Sequence, residues 1–491
     1  MDRRSFVNAT LMGAAGALLR TPGAFAAGSL DRPGALSVAD IKDFDASLRG
    51  ELIRASDSGY DAARRLWNPA FDRRPALIAR CSGAADVTRA VQFARAHNLV
   101  TAVRGGGHSL SGQSGCDGGL VIDLSTMKGI RIDAVHRRAI AQGGVLLGEL
   151  DCETQAFGLA TTLGTAPDTG IAGLTLGGGF GRLDRRFGLA CDNLRAVDIV
   201  TADGQLRHAS QLDNPDLFWG VRGGGGNFGV VTAFEYQVHP LGPDVLAGTR
   251  VFPYSQARNV LAAITEFAQT MPDEMYVAIF VTRNEQAPSP GIVVGYEVCY
   301  SGSPAIGAKL LAPLQRLGQP LYDDVAVKTY VAAQGGTGKV KAVPSDSITY
   351  FKSGFVGDAS PLLLDEIVRR FAASPPVVQS VVLLSHGGVG GRVKPEATAF
   401  WNRWMKYTML LVGSWTERAQ HEANLRTARA FWEAFDPYTR NYYPNTDVND
   451  DEQRLRATYG GNYARLVKLK DKYDPANLFR LNANIKPTVR S

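Results

Sequence analysis

The stretch Thr101-Ala-Val-Arg-Gly-Gly-Gly-His-Ser109 decides how the rest of the chain is read. Leu99 to Arg104 is a short apolar run with the texture of a strand. Three glycines follow, then His108 and a Ser/Gly-containing tail through Gly119. Glycine has no Cβ, so the backbone can take positive φ and approach a ligand closely. Successive N–H groups in such a turn form a concave anion site suited to a pyrophosphate. Upstream, Ala76–Cys81 reads as a strand, and Asp86–Asn98 as a helix with Val87, Val91 and Ala94 on one face. Strand, helix, strand within about 30 residues makes a βαβ unit, with the glycine loop at the end of its second strand. Gly119–Leu124 and Arg138–Gln142 are further strands, with a helix over Leu147–Phe157.

Two more glycine segments follow: Gly170-Ile-Ala-Gly-Leu-Thr-Leu-Gly-Gly-Gly-Phe-Gly181 and Arg222-Gly-Gly-Gly-Gly-Asn-Phe-Gly-Val230. Near the end lie Tyr459-Gly-Gly-Asn-Tyr463, Asp474-Pro-Ala-Asn-Leu-Phe479 and Asn482-Ala-Asn-Ile485. In this order the segments resemble the berberine-bridge-enzyme-like oxidases, with the PCMH-type FAD-binding domain of the vanillyl-alcohol-oxidase superfamily. The resemblance covers nearly the whole chain after residue 27. It implies an α+β, two-domain fold: an FAD-binding domain over 28–240, completed by 445–491, and a substrate domain over 241–444 with an antiparallel sheet backed by helices.

The same resemblance implies FAD bonded covalently to His108. It places the cofactor against Arg104, Gly105, Gly106, Gly107, Ser109, Gly112 and Gln113 of the first loop. From the second region it adds Pro167, Thr169, Gly170, Gly173, Gly177, Gly178, Gly179 and Gly181. Gly229, Val230, Asn482 and Asn484 complete the set. Many relatives carry a cysteine that makes a second flavin bond; this chain has Ala166 there, so no second cysteine link is expected. A histidine found in a relative just before the triple glycine is Leu174 here. Three residues after the missing cysteine, relatives use valine or leucine to set the room for O2. Thr169 stands there, nearly the size of valine, and implies an oxidase that makes hydrogen peroxide.

The family's substrate-side base is a tyrosine in the pattern tyrosine, any residue, asparagine. Tyr443 and Asn445 of Asn441-Tyr-Tyr-Pro-Asn445 fit it, with Tyr442 as the neighbouring candidate. A phenol ordinarily titrates near 10 and needs a nearby Arg or Lys to act at neutral pH. His386, Trp401, Arg403 and Trp404 are candidate pocket residues.

Composition limits the alternatives. A chain of 491 residues exceeds one ordinary core. It is 45% hydrophobic and 20% charged with a net charge of +6 that forms no stripe, which excludes disorder and gives nucleic-acid binding no support. Seven dispersed histidines form no metal-ligand spacing, so no metal is expected. Five scattered cysteines, Cys81, Cys116, Cys152, Cys191 and Cys299, suggest buried thiols rather than a disulfide framework.

Asp2-Arg-Arg-Ser-Phe-Val7, an apolar run Ala9–Leu19 and Ala24-Phe-Ala26 resemble a twin-arginine export signal cleaved near residue 27. The expected location is therefore periplasmic or extracellular, with no stable membrane insertion after cleavage. The expected function is oxidation of an alcohol, hemiacetal or amine carbon of a small molecule by hydride transfer to a His-linked flavin, with O2 as acceptor. Two alternatives are a dehydrogenase using a quinone or protein acceptor, and a catalytically lapsed flavin-binding protein.

Overall fold

The structure, a computed structural model, describes residues 36–284, 291–335, 347–446 and 451–488. The export segment expected at 1–27 lies outside them. Ser37 caps the first helix, Val38–Ser47, through a reciprocal capping box with Asp40. In the sequence a mixed helical pattern opens at Ser37 and runs through about Ser56, but the helix stops at Ser47. Leu52 and Ile53 are apolar, buried and paired with Ala79 and Ile78, so Glu51–Arg54 is an edge strand.

Three parallel strands, Leu77–Arg80, Leu120–Asp123 and Thr101–Arg104, lie side by side in that order. The helix Ala84–Ala96 links the first to the third and buries Val87, Ala90, Val91 and Ala94, the i, i+3, i+4, i+7 stripe of a surface helix. Thr101–Arg104 ends the row, so its C-terminus releases the glycine loop at the sheet's edge. A second sheet of five antiparallel strands runs Ile130–Asp133, Arg138–Gln142, Gly229–Gln237, Leu194–Thr201, Leu206–Ser210. Its last hairpin turns at Asp203-Gly204, where Gly204 takes φ +76°. His239-Pro240, read from sequence as the domain exit, first pairs with Leu159–Ala160.

The second domain is one antiparallel sheet. Its order is Tyr322–Asp323, Asp244–Pro253, Gly291–Tyr300, Met275–Asn284, Val378–Ser385, Tyr407–Trp415, Ile348–Val356. Asp244–Pro253 and Ile348–Val356 are strands that sequence reading missed. Side chains of a strand alternate between faces. Met275, Val277 and Ile279 point into a core with the helices Ala257–Thr270, Pro361–Ala372 and His421–Glu433. Tyr276 and Ala278 point the other way, into a cluster with Ala160 and Leu183 of the first domain.

The domain junction also holds a buried polar chain. Arg182 binds Glu297 at 2.6 Å and the Gln334 side-chain oxygen at 2.5 Å. The Gln334 amide donates to Asp151 at 3.1 Å and to the Gly164 carbonyl at 3.1 Å. Burial pushes the Asp151 carboxyl up to about 7, against the pull of Gln334 and Arg182. A carboxyl raised on folding adds stability that is complete below its unfolded pKa and is lost as pH rises through 7. Asp151→Asn should therefore flatten the fall in melting temperature between pH 5 and 8; an unchanged slope would exonerate Asp151.

The C-terminal helix Tyr463–Tyr473 returns to the first domain. Leu466, Leu469 and Tyr473 share its core with Phe218, Phe228 and Phe234.

Candidate active site

The glycines of the first two loops let two backbones touch. A Cβ on Gly106 would lie 2.5 Å from the Gly170 nitrogen, and one on Gly170 would lie 2.5 Å from the Gly106 nitrogen. Gly107 takes φ +72°, which turns the chain toward His108. The second loop is held from behind: Leu147 and Gly148 N–H donate to the Thr169 and Pro167 carbonyls, both at 2.9 Å. These are orphan donors of the first turn of helix Leu147–Gln155, so the helix end fixes the loop. Gly112 abuts the ring of Phe71, and Gln113 N–H donates to Ser109 Oγ at 3.0 Å.

His108 sits at the meeting of these loops. Its ring stacks on Trp67, with centroids 4.6 Å apart. Trp67 N–H is tied to the Gly107 carbonyl at 3.0 Å. Nε2 lies 3.6 Å from Asp168 Oδ1. Burial lowers the imidazole's pKa and Asp168 opposes the shift, so the ring is neutral at neutral pH. Trp67 and Asp168 escaped sequence reading. Asp168 lies inside the turn Pro167–Gly170 that the glycine pattern had already marked.

The surroundings fit a flavin nucleotide. Gly173, on the helix Ile171–Leu176, is exposed and a Cβ there would meet nothing within 4 Å. The Asn482 carbonyl accepts from Gln113 Nε2 at 3.1 Å, which brings the closing segment to the first loop. The side-chain oxygens of Asn482 and Asn484 are buried and without a protein partner there. Open backbone, a neutral histidine and unspent buried acceptors are what a polar cofactor would use.

Several of the expected cofactor residues also make contacts within the protein. Arg104 NH1 donates to the Ala63 carbonyl, and its guanidinium packs beside Gly107 of the first loop. Val230 is buried in the core of the parallel sheet and pairs with Val200. Gly229 makes room for the Val200 carbonyl. Gly177, Gly178, Gly179 and Gly181 leave space for Asn445, Phe400, Ala190 and the Leu163 carbonyl respectively.

The two tyrosines separate. Tyr442 is fully buried in the first-domain core, under the Arg454 guanidinium, which removes it as a substrate base. Tyr443 packs on Phe180, with centroids 4.2 Å apart, and its hydroxyl oxygen accepts from Gly179 N–H at 3.2 Å and Asn445 Nδ2 at 2.8 Å. Asn445 Nδ2 also reaches the Leu174 carbonyl at 3.0 Å. Burial raises the phenol well above its usual range, and the hydroxyl's hydrogen-bond partners are neutral donors rather than the expected Arg or Lys.

The four candidate pocket residues prove structural. His386 bridges Asp184 and Thr408, each at 2.8 Å, across the domain junction. Arg403 grips Asp192 with two 2.7 Å bonds. Trp401 covers Gly460 and Gly461, and Trp404 is a surface ring beside Arg440. A cavity of about 520 Å³ opens instead between the first loop's tail, with Phe71, Leu110 and Gln113, and Ile348, Tyr350, Phe351 and Trp415 of the second domain. Its size and aromatic lining suit a small molecule. Four of the five cysteines are buried, none of the five forms a disulfide, and no metal-binding group of side chains occurs among the described residues.

This site and fold define an FAD-binding oxidoreductase. Residues 75–210 match the family model described as FAD binding domain, and 442–486 match the one described as berberine and berberine like. The chain is 32% identical over 454 residues to an FAD-linked oxidoreductase of Dictyostelium discoideum, covering 91% of this chain and 97% of that one. It is 32% identical over 458 residues to (R)-6-hydroxynicotine oxidase of Paenarthrobacter nicotinovorans, covering 90% and 97%. The crystal structure of 6-hydroxy-D-nicotine oxidase from Arthrobacter nicotinovorans superposes with a TM-score of 0.81 at 30% identity, over 90% and 98% of the two chains. The protein belongs to the berberine-bridge-enzyme-like FAD-linked oxidoreductases of the vanillyl-alcohol-oxidase superfamily.

Proposed function

We propose that this protein is an exported oxidase that takes a hydride from an alcohol, hemiacetal or amine carbon of a small molecule, with FAD linked to His108 and O2 as acceptor. The observation that carries the reading is His108, stacked on Trp67 at the meeting of two glycine loops. Bound FAD supplies the two-electron acceptor for the C–H bond. The chain would hold it through the cradle and the Asn482–Ile485 segment, and the cavity beside Leu110 has room for the substrate. Tyr443 is the proposed proton acceptor, its anion supported by Gly179 N–H and the Asn445 amide. Likeness to an enzyme named (R)-6-hydroxynicotine oxidase supports an oxidase and a small amine or alcohol substrate.

Thr169, whose backbone is fixed on the helix end, carries the O2 reading. Substrate-reduced protein mixed with oxygenated buffer should reoxidise promptly, and Thr169→Leu should slow it strongly. Reduced flavin that persists for minutes in air but reoxidises at once with a quinone would make the protein a dehydrogenase. For export, replacing Arg3 and Arg4 by lysine should hold holoprotein in the cytoplasm; undiminished export would point to the general secretory route.

A further inference from the structure

We propose that Asp168 is a positioning residue that orients His108 and takes up its Nε2 proton while the flavin is being attached; this rests on the His108 linkage proposed above. Three observations converge. Asp168 Oδ1 stands 3.6 Å from Nε2, at the ring edge that Trp67 leaves open. Neither side chain is far exposed, 15% for His108 and 26% for Asp168, so their interaction is only partly screened. The carboxylate is also rigidly presented. Its turn closes through Thr169 N–H to the Ala166 carbonyl at 3.1 Å, and helix N–H groups hold the carbonyls on either side of Asp168. Asp168 has no other ion-pair partner among the described residues.

With Nε2–H directed at Asp168, bond formation falls to Nδ1. Nδ1 forms a C–N bond to the flavin's 8α carbon, and one C–H bond of that methyl breaks. Its proton leaves and its electron pair reduces the flavin by two electrons. The Nε2 proton passes to Asp168, so the ring does not end as a buried cation. Dioxygen then takes the two electrons and two protons as hydrogen peroxide, restoring oxidised flavin.

The test follows attachment rather than turnover. Protein made without flavin is given FAD, and acid-stable flavin is measured over time alongside total bound FAD. Wild type should become acid-stable on the peptide containing His108. Asp168→Asn should bind FAD yet attach it roughly 100-fold more slowly, the range of a lost positioned base. Asp168→Ala should be accelerated by added formate, an effect no packing role would give. Wild-type attachment in Asp168→Asn, or indifference of Asp168→Ala to formate, overturns the proposal. Loss of FAD binding in both variants also overturns it and assigns Asp168 to holding the cofactor. Wild-type protein that binds FAD but releases all of it in acid defeats the His108 linkage itself, a result distinct from a failure at Asp168.

Discussion

Lys470→Met is expected to lower the stability of the folded protein by about 3–5 kcal/mol, the cost of leaving one member of a buried ion pair alone. Lys470 and Asp474 are both 0% exposed and 2.7 Å apart. The ammonium also donates to the Asn227 and Phe479 carbonyls, each at 2.9 Å. Asp474 in turn accepts from Leu478 and Phe479 N–H at 2.8 and 2.9 Å. Asn227 bonds the Ala483 carbonyl and Ile485 N–H. One lysine therefore joins the third glycine loop to the closing segment, and Met fills its volume without replacing any donor. Urea unfolding with unchanged m-value should show the loss as a lower midpoint. A midpoint within error of wild type would mean that the pair adds nothing net.

Tyr443→Phe is expected to slow flavin reduction by substrate roughly 10²–10⁴-fold, the span for a positioned proton acceptor. It should also cost stability, about 1–3 kcal/mol, because Gly179 N–H and the Asn445 amide lose their acceptor in a buried place. The pH dependence separates the two effects. Proton acceptance needs the phenolate, and burial raises the phenol above its ordinary value. The reactive fraction is then small at neutral pH and grows about tenfold per pH unit until the raised pKa is reached. Wild-type reduction should climb into the alkaline range, and the phenylalanine variant should lose that climb. A variant that is merely less stable but reduces at the wild-type rate would leave Tyr443 as a packing residue.

The glycine loops were legible because three such segments occur in one order, and so was the first βαβ unit, whose helix carries a clear apolar stripe. The apolar run Tyr407–Trp415 reads as a strand in the sequence and is one to the residue. The helix–strand error at Glu51–Arg54 came from a four-residue element too short to show its period. What could not be read depended on contacts far apart in sequence. Nothing local tells that His386 answers to Asp184, 202 positions away, or that Arg403 answers to Asp192, 211 away. Tyr442 and Tyr443 are adjacent and alike in type, and only the tertiary packing sends one into the core and the other to the second loop. The glycines were read as room for a ligand. Many of them turn out to be room for the chain itself, as at Gly106 and Gly170.

The return of the last residues to the first domain orders events during biosynthesis. Gln113 waits for the Asn482 carbonyl, and Asn227 for Ala483 and Ile485. The cradle is therefore incomplete until Asn482–Ile485 have been made, although its first glycines come hundreds of codons earlier. A chain stopped before Lys470 would have three glycine loops and no closing segment to hold them in register. Retention of flavin would then report that the segment from Lys470 to Ile485 has been made and has docked.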